Sequence, residues 1–179
     1  MTGRNEDLKA LVRTIPDHPK AGVQFRDITT LLGDAYGLRE SVKRLADLLR
    51  GVDAQKIAGI EARGFIVGGA LATELGLGFV PVRKRGKLPF ETVGRDYELE
   101  YGTDRVEIHV DAIGPGEKII LIDDLIATGG TALAAAELFR TVGVDVAAAG
   151  FIVDLPELGG AERLRHANVP VFTLFGFEG

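Results

Sequence analysis

At 179 residues, 46% hydrophobic and 26% charged, the chain has the size and composition of one globular domain, neither disordered nor fibrous. A net charge of −5 argues against a broad nucleic-acid-binding face, and the lack of cysteine excludes disulfides and thiolate chemistry. No apolar run approaches the ~20 residues of a membrane span, and MTGRNEDLKA is too polar for a secretory signal, so a cytoplasmic protein is expected.

Leu8, Leu11, Val12 and Ile15 recur at helical spacing after Asn5, a capping residue type, and predict a helix ended by Pro16. Residues 16–27, PDHPKAGVQFRD, carry prolines and a glycine without a stable period and predict an irregular segment. Leu38, Val42, Leu45, Leu48 and Leu49 share one helical face, with Gly51 beyond its end as a stop. A strand over 56–60, a helix over 64–75 closed by Gly76, and a strand over 78–82 form a β-α-β unit. Strands over 96–101 and 105–110 follow, the second marked by Val106, Ile108 and Val110 alternating with polar neighbours, and together they suggest a hairpin-like flap. After a turn at 114–116, a buried strand is expected over 118–122, an Ala-rich helix over 131–142 and an apolar strand over 144–153. A short helix over 161–165 and a strand over 171–175 complete an α/β fold, a mainly parallel central sheet flanked by helices. His18, His109 and His166 show no paired ligand spacing, so no protein metal site is expected.

The chemistry concentrates in residues 119–131, IILIDDLIATGGT, where an apolar strand runs into two acids and then a small-residue loop opening a helix. Ligands of open parallel sheets sit beyond the strands' carboxyl ends, and free N–H groups at a helix N-terminus suit a phosphate. Ala127, Gly129 and Gly130 let the backbone approach an anion, while Thr128 and Thr131 add hydroxyl donors. Asp123 and Asp124 would repel that phosphate, so they face hydroxyl donors or a cation beside it; a sugar phosphate satisfies both halves. An ATP-binding P-loop needs a lysine before the helix, and Gly129-Gly130-Thr131 has none. Arg83, Lys84, Arg85 and Lys87 form a basic run that by charge alone reads as a solvated turn.

IILIDDLIATGGT resembles the phosphoribosyl pyrophosphate (PRPP) motif of type I phosphoribosyltransferases. VQFRDIT (23–29), EARGF (61–65), VRKRGKLP (82–89) and LEYG (99–102) narrow the resemblance to that family's adenine-using members, over essentially the whole chain, 1–179, as one domain. The resemblance implies that residues 127–131 hold the 5-phosphate, that Asp123 and Asp124 hold the ribose hydroxyls, and that Arg63, Arg83 and Lys87 bind pyrophosphate. It implies Glu100 as the proton-handling acid, a supporting role for Tyr101, and a cis peptide at Glu61–Ala62. A flap over 83–102 would close to keep water from an oxocarbenium-like state. Magnesium is expected, bound mainly through the substrate, because pyrophosphate is a hard, multiply charged leaving group. In similar enzymes a basic residue of the flap reaches the neighbouring subunit, which implies a homodimer. Adenine would be read within residues 16–30, by backbone groups of Gln24 and Arg26 and the face of Phe25. Alternatives are a transferase for hypoxanthine, xanthine or orotate, and a non-catalytic PRPP sensor. The sensor would need an added DNA-binding region and is disfavoured by the presence of Arg63 and Glu100.

Overall fold

The computed structural model describes residues 5–98 and 102–178. Its first part holds α1 (Glu6–Lys9), β1 (Arg13–Ile15), β2 (Phe25–Asp27), α2 (Thr29–Leu32) and α3 (Ala35–Leu49). The middle runs through β3 (Lys56–Ile60), α4 (Arg63–Leu75), β4 (Gly78–Lys84), β5 (Thr92–Glu98) and β6 (Thr103–His109). The last part contains β7 (Lys118–Ile126), α5 (Gly130–Thr141), β8 (Asp145–Asp154), α6 (Gly160–His166) and β9 (Val171–Gly176). Seven strands form one sheet in the order β5-β6-β4-β3-β7-β8-β9. The run from β4 to β9 is parallel, whereas β6 is antiparallel to both β4 and β5. β1 and β2 make a separate antiparallel ribbon.

The unbroken run Ile119–Ile122 follows from burial on both sheet faces. Successive strand residues point to opposite sides. Ile119 and Leu121 pack with Ala135 and Phe139 of α5 and Leu164 of α6, while Ile120 and Ile122 pack with Leu45 and Leu49 of α3 and Val67 and Leu71 of α4. The long helices and the core strands thus match their periodicities, and Gly76 closes α4 in the left-handed region, φ 68°; β5 instead begins at Thr92, four residues before the predicted strand, because it pairs with β6 from there, and residues 99–101 of that strand lie outside the described residues.

Local departures have physical causes. The predicted opening helix ends at Lys9, because Arg13–Ile15 pairs with Phe25–Asp27 and strand pairing overrides the apolar spacing. Asn5 does not cap it: its side-chain amide donates to the Leu174 carbonyl at 2.6 Å. The same pairing makes Phe25–Asp27 a strand, leaving 16–24 irregular around a cis His18–Pro19 bond. Asp34 caps α3 by accepting from the Gly37 N–H at 2.8 Å, and Gly51 follows its end without a left-handed φ. β4 runs on to Lys84, and β7 runs through the acid pair to Ile126, four residues beyond the predicted end.

Candidate active site

The site is assembled at the carboxyl end of β7. Gly64, in the first turn of α4, makes this possible: a Cβ there would lie 2.9 Å from both Asp123 Oδ1 and the Ile122 carbonyl, so only glycine lets the helix start against the strand. Arg63 is thereby held beside the acids, its Nε donating to Asp124 Oδ2 in a short ion pair. Asp124 is 2% exposed. Asp123 Oδ1 accepts from the Asp124 N–H at 2.8 Å. Burial, and then the neighbouring Asp124 charge, push the Asp123 carboxyl well above the usual carboxylate range. Burial also works against the Arg63 charge, but its hydrogen bond to Asp124 and the charges of Asp123 and Asp27 outweigh it and raise its pKa. The two acids and the arginine are therefore interlocked.

Beyond the acids, Ala127, Thr128, Gly129, Gly130 and Thr131 curve into the N-terminus of α5 and, with Arg63, Asp123 and Asp124, line a pocket of about 190 Å³. Gly129 caps the helix at φ 76° without any side-chain capping bond, which leaves the first-turn N–H groups facing the pocket's loop. The loop is held from behind: Gly160 N–H donates to the Ala127 carbonyl at 3.0 Å and Arg163 to the Thr128 carbonyl at 2.8 Å. A helix start with an adjacent guanidinium suits a phosphate, and the paired carboxylates suit hydroxyl donors.

The other expected residues lie around this centre. Arg83 donates to Glu61 Oε2 at 3.1 Å and to the Lys87 carbonyl at 2.9 Å, and it does not line the pocket. Glu61 precedes a cis peptide to Ala62, as the sequence resemblance implied. Lys87 is exposed at the turn after β4. Gln24 and Arg26 line a separate pocket of about 240 Å³ with Leu155, Leu158 and Phe177. Arg26 stacks its guanidinium 4.4 Å from the Phe177 ring centre and donates to Thr14 Oγ1 at 2.6 Å. Phe25 meets His18 edge-on, ring centres 5.2 Å apart. Glu100 and Tyr101 lie outside the described residues.

Tyr97 and Asp104 have no role in the sequence reading, and Lys84 enters it only as part of a solvated basic run. Lys84 Nζ donates at short range to both the Tyr97 hydroxyl and Asp104 Oδ2; Tyr97 donates to Asp104 at 3.1 Å, and Thr131 Oγ1 donates to Tyr97 at 3.1 Å. A signal existed: Val80 and Val82 are buried toward α5, and the period of two puts Lys84 on that same face rather than with Arg83. Burial opposes the Lys84 charge, but Asp104 and Tyr97 outweigh it and raise its pKa, while the bond from Lys84 lowers that of Asp104.

The phosphoribosyl transferase domain family matches residues 38–172. An adenine phosphoribosyltransferase of Nitrobacter winogradskyi is 62% identical over 97% of this chain and 97% of its own. The chain belongs to the adenine phosphoribosyltransferase family. The crystal structure of an adenine phosphoribosyltransferase from Thermoanaerobacter pseudethanolicus superposes with a TM-score of 0.91 at 46% identity, covering 96% of this chain and 99% of that one. The enzyme of Saccharomyces cerevisiae, complexed with an imino-altritol bisphosphate and adenine, superposes at 0.87 with 38% identity, over 97% and 99% of the two chains. The domain-family match begins at residue 38, so Gln24, Phe25 and Arg26 lie outside its range.

Proposed function

We propose that the protein transfers the 5-phosphoribosyl group of PRPP to adenine, giving AMP and pyrophosphate. The observation that carries this reading is the junction of two adjacent carboxylates with a helix-start loop and an arginine in one pocket, a pairing of hydroxyl-binding and anion-binding halves. In this reading residues 127–131 take the 5-phosphate, and Asp123 and Asp124 take the ribose 2- and 3-hydroxyls. A base nitrogen attacks the anomeric carbon as its bond to the pyrophosphate oxygen breaks, and the electron pair leaves with pyrophosphate. The carboxylates favour the positive charge that develops on the sugar. Arg63 takes pyrophosphate once the substrate hydroxyls share its hold on Asp124, with Arg83 and Lys87 supplying further charge from the turn after β4. Glu100 accepts the proton released by the base.

Adenine binds through the backbone of Gln24 and Arg26, with Phe25 offering a face. Magnesium accompanies the pyrophosphate. Substrate oxygens would mainly hold the ion, with the oxygens of Asp123 and Asp124 in the same pocket suited to a hard cation. When bound, the ion neutralises the leaving group. A homodimer and a cytoplasmic location belong to the same reading; Ile66 and Phe79, 50% and 38% exposed, leave apolar surface on α4 and β4 for a second subunit. Among the described residues no helix is long and apolar enough to cross a membrane.

The test is pyrophosphate release from PRPP with each of several bases, with the nucleotide product identified. Release that depends on adenine and yields AMP is expected. No release with any base would return the chain to a PRPP sensor.

A further inference from the structure

Tyr97 carries a hydroxyl that no pyrophosphate, ribose or base role uses, yet it touches the phosphate loop directly. Its ring lies 3.9 Å from the position of a Cβ on Gly130, and its oxygen accepts from Thr131 at 3.1 Å. β5 is clamped to α5 a second time by an ion pair of 2.6 Å between Arg95 and Glu137. Proton accounting then constrains what the network does. Thr131 has one hydroxyl proton, and it points at Tyr97; Tyr97 has one, and it points at Asp104, which also receives Lys84. A phosphate dianion only accepts, so a phosphate in the loop draws the Thr131 proton to itself. Tyr97 is then able to turn its own proton onto Thr131 Oγ1, because Asp104 keeps its bond from Lys84. The donors now run in one direction, from the Lys84 ammonium through Tyr97 and Thr131 to the anion.

We infer that Tyr97 is a positioning residue for the 5-phosphate, orienting the Thr131 hydroxyl by a hydrogen bond whose direction reverses when the phosphate binds. The inference rests on the assignment of residues 127–131 to that phosphate. Its second consequence is that the phosphate subsite is wired to the β5–β6 hairpin, since Tyr97, Lys84 and Asp104 come from β5, β4 and β6.

The experiment is calorimetric titration of ribose 5-phosphate into the wild-type protein, Tyr97→Phe, Thr131→Val and the double variant, with steady-state kinetics beside it. Tyr97→Phe removes only the hydroxyl, and a neutral hydrogen bond supports a loss of about fivefold in affinity. The expected pattern is that loss, a matching rise in KM for PRPP, an unchanged KM for adenine, and a double variant no weaker than Thr131→Val alone. Equal binding by wild type and Tyr97→Phe overturns the inference, as do additive losses in the double variant. Failure of the wild type to bind ribose 5-phosphate overturns the loop assignment as well. Should Tyr97→Phe not fold, Asp104→Ala decides: with that acceptor gone the Tyr97 proton is free to turn to Thr131, which should hold or tighten ribose 5-phosphate binding, and weaker binding contradicts the relay.

Discussion

Asp123 is half-buried beside another carboxylate, at some cost to the fold. A carboxyl whose folded pKa is raised contributes a penalty that is absent at low pH and grows as pH rises through the unfolded value near 4 toward the higher folded one. Asp123→Asn is therefore expected to melt no lower than the wild type at pH 7, and higher relative to it than at pH 4, while turnover falls by about 10²-fold or more. Thermal melts at both pH values with single-turnover rates check this; near-normal turnover with a large loss of stability would reverse the assignment. For Glu100→Gln the expectation is retained PRPP binding with a chemical step slowed by about 10²-fold, read in a single turnover. Lys87→Ala should impair pyrophosphate handling in both reaction directions while the melting temperature holds, since the side chain is exposed. Legibility at this scale follows contiguity. Asp123 to Thr131 lie in one stretch and one pocket, whereas Lys84, Tyr97, Asp104 and Thr131 meet only after the hairpin has folded over α5.

Elements were legible where a buried face repeated long enough to dominate, as in α3, α4 and the β7 core. They were not where pairing decided the outcome: Arg13–Ile15 is a strand because Phe25–Asp27 lies opposite, and nothing local to it says so. The extent of β7 was hidden because Asp123 and Asp124 read as the end of an apolar run, although their backbones continue the ladder with β8 to Ile126. The contact between α4 and β7 rests on one missing side chain. Gly64→Ala would press a methyl against the Ile122 carbonyl at 2.9 Å, a backbone atom that cannot swing away. A loss of about 1–3 kcal/mol is expected, with activity falling further than stability explains because Arg63 moves with the helix. Denaturant midpoints and PRPP kinetics measure the two; wild-type values for both would show that the helix start tolerates displacement.

Across the whole molecule, acid sensitivity should be greatest at the N-terminal attachment. The hydroxyl and N–H of Thr29, with Arg13, hold the Asp27 carboxyl at about 2, and hydrogen bonds from Arg44 and Tyr36 hold Asp7 below the usual range. Such depressed groups stabilise the fold above the unfolded value of about 4, and that contribution is lost as pH falls toward 2. Melting temperatures should drop through this window, and less steeply in Asp7→Asn. These bonds fasten α1 to α3 and join β1 to β2, the ribbon that presents Phe25 and Arg26. We propose that this ribbon reads adenine for a phosphoribosyl site at β7. It is tested most directly by kcat/KM for adenine and hypoxanthine with saturating PRPP and magnesium. Hypoxanthine would set carbonyl against carbonyl and strand buried partners, so a preference for adenine of roughly 10⁴ is predicted; comparable constants for the two bases would contradict it.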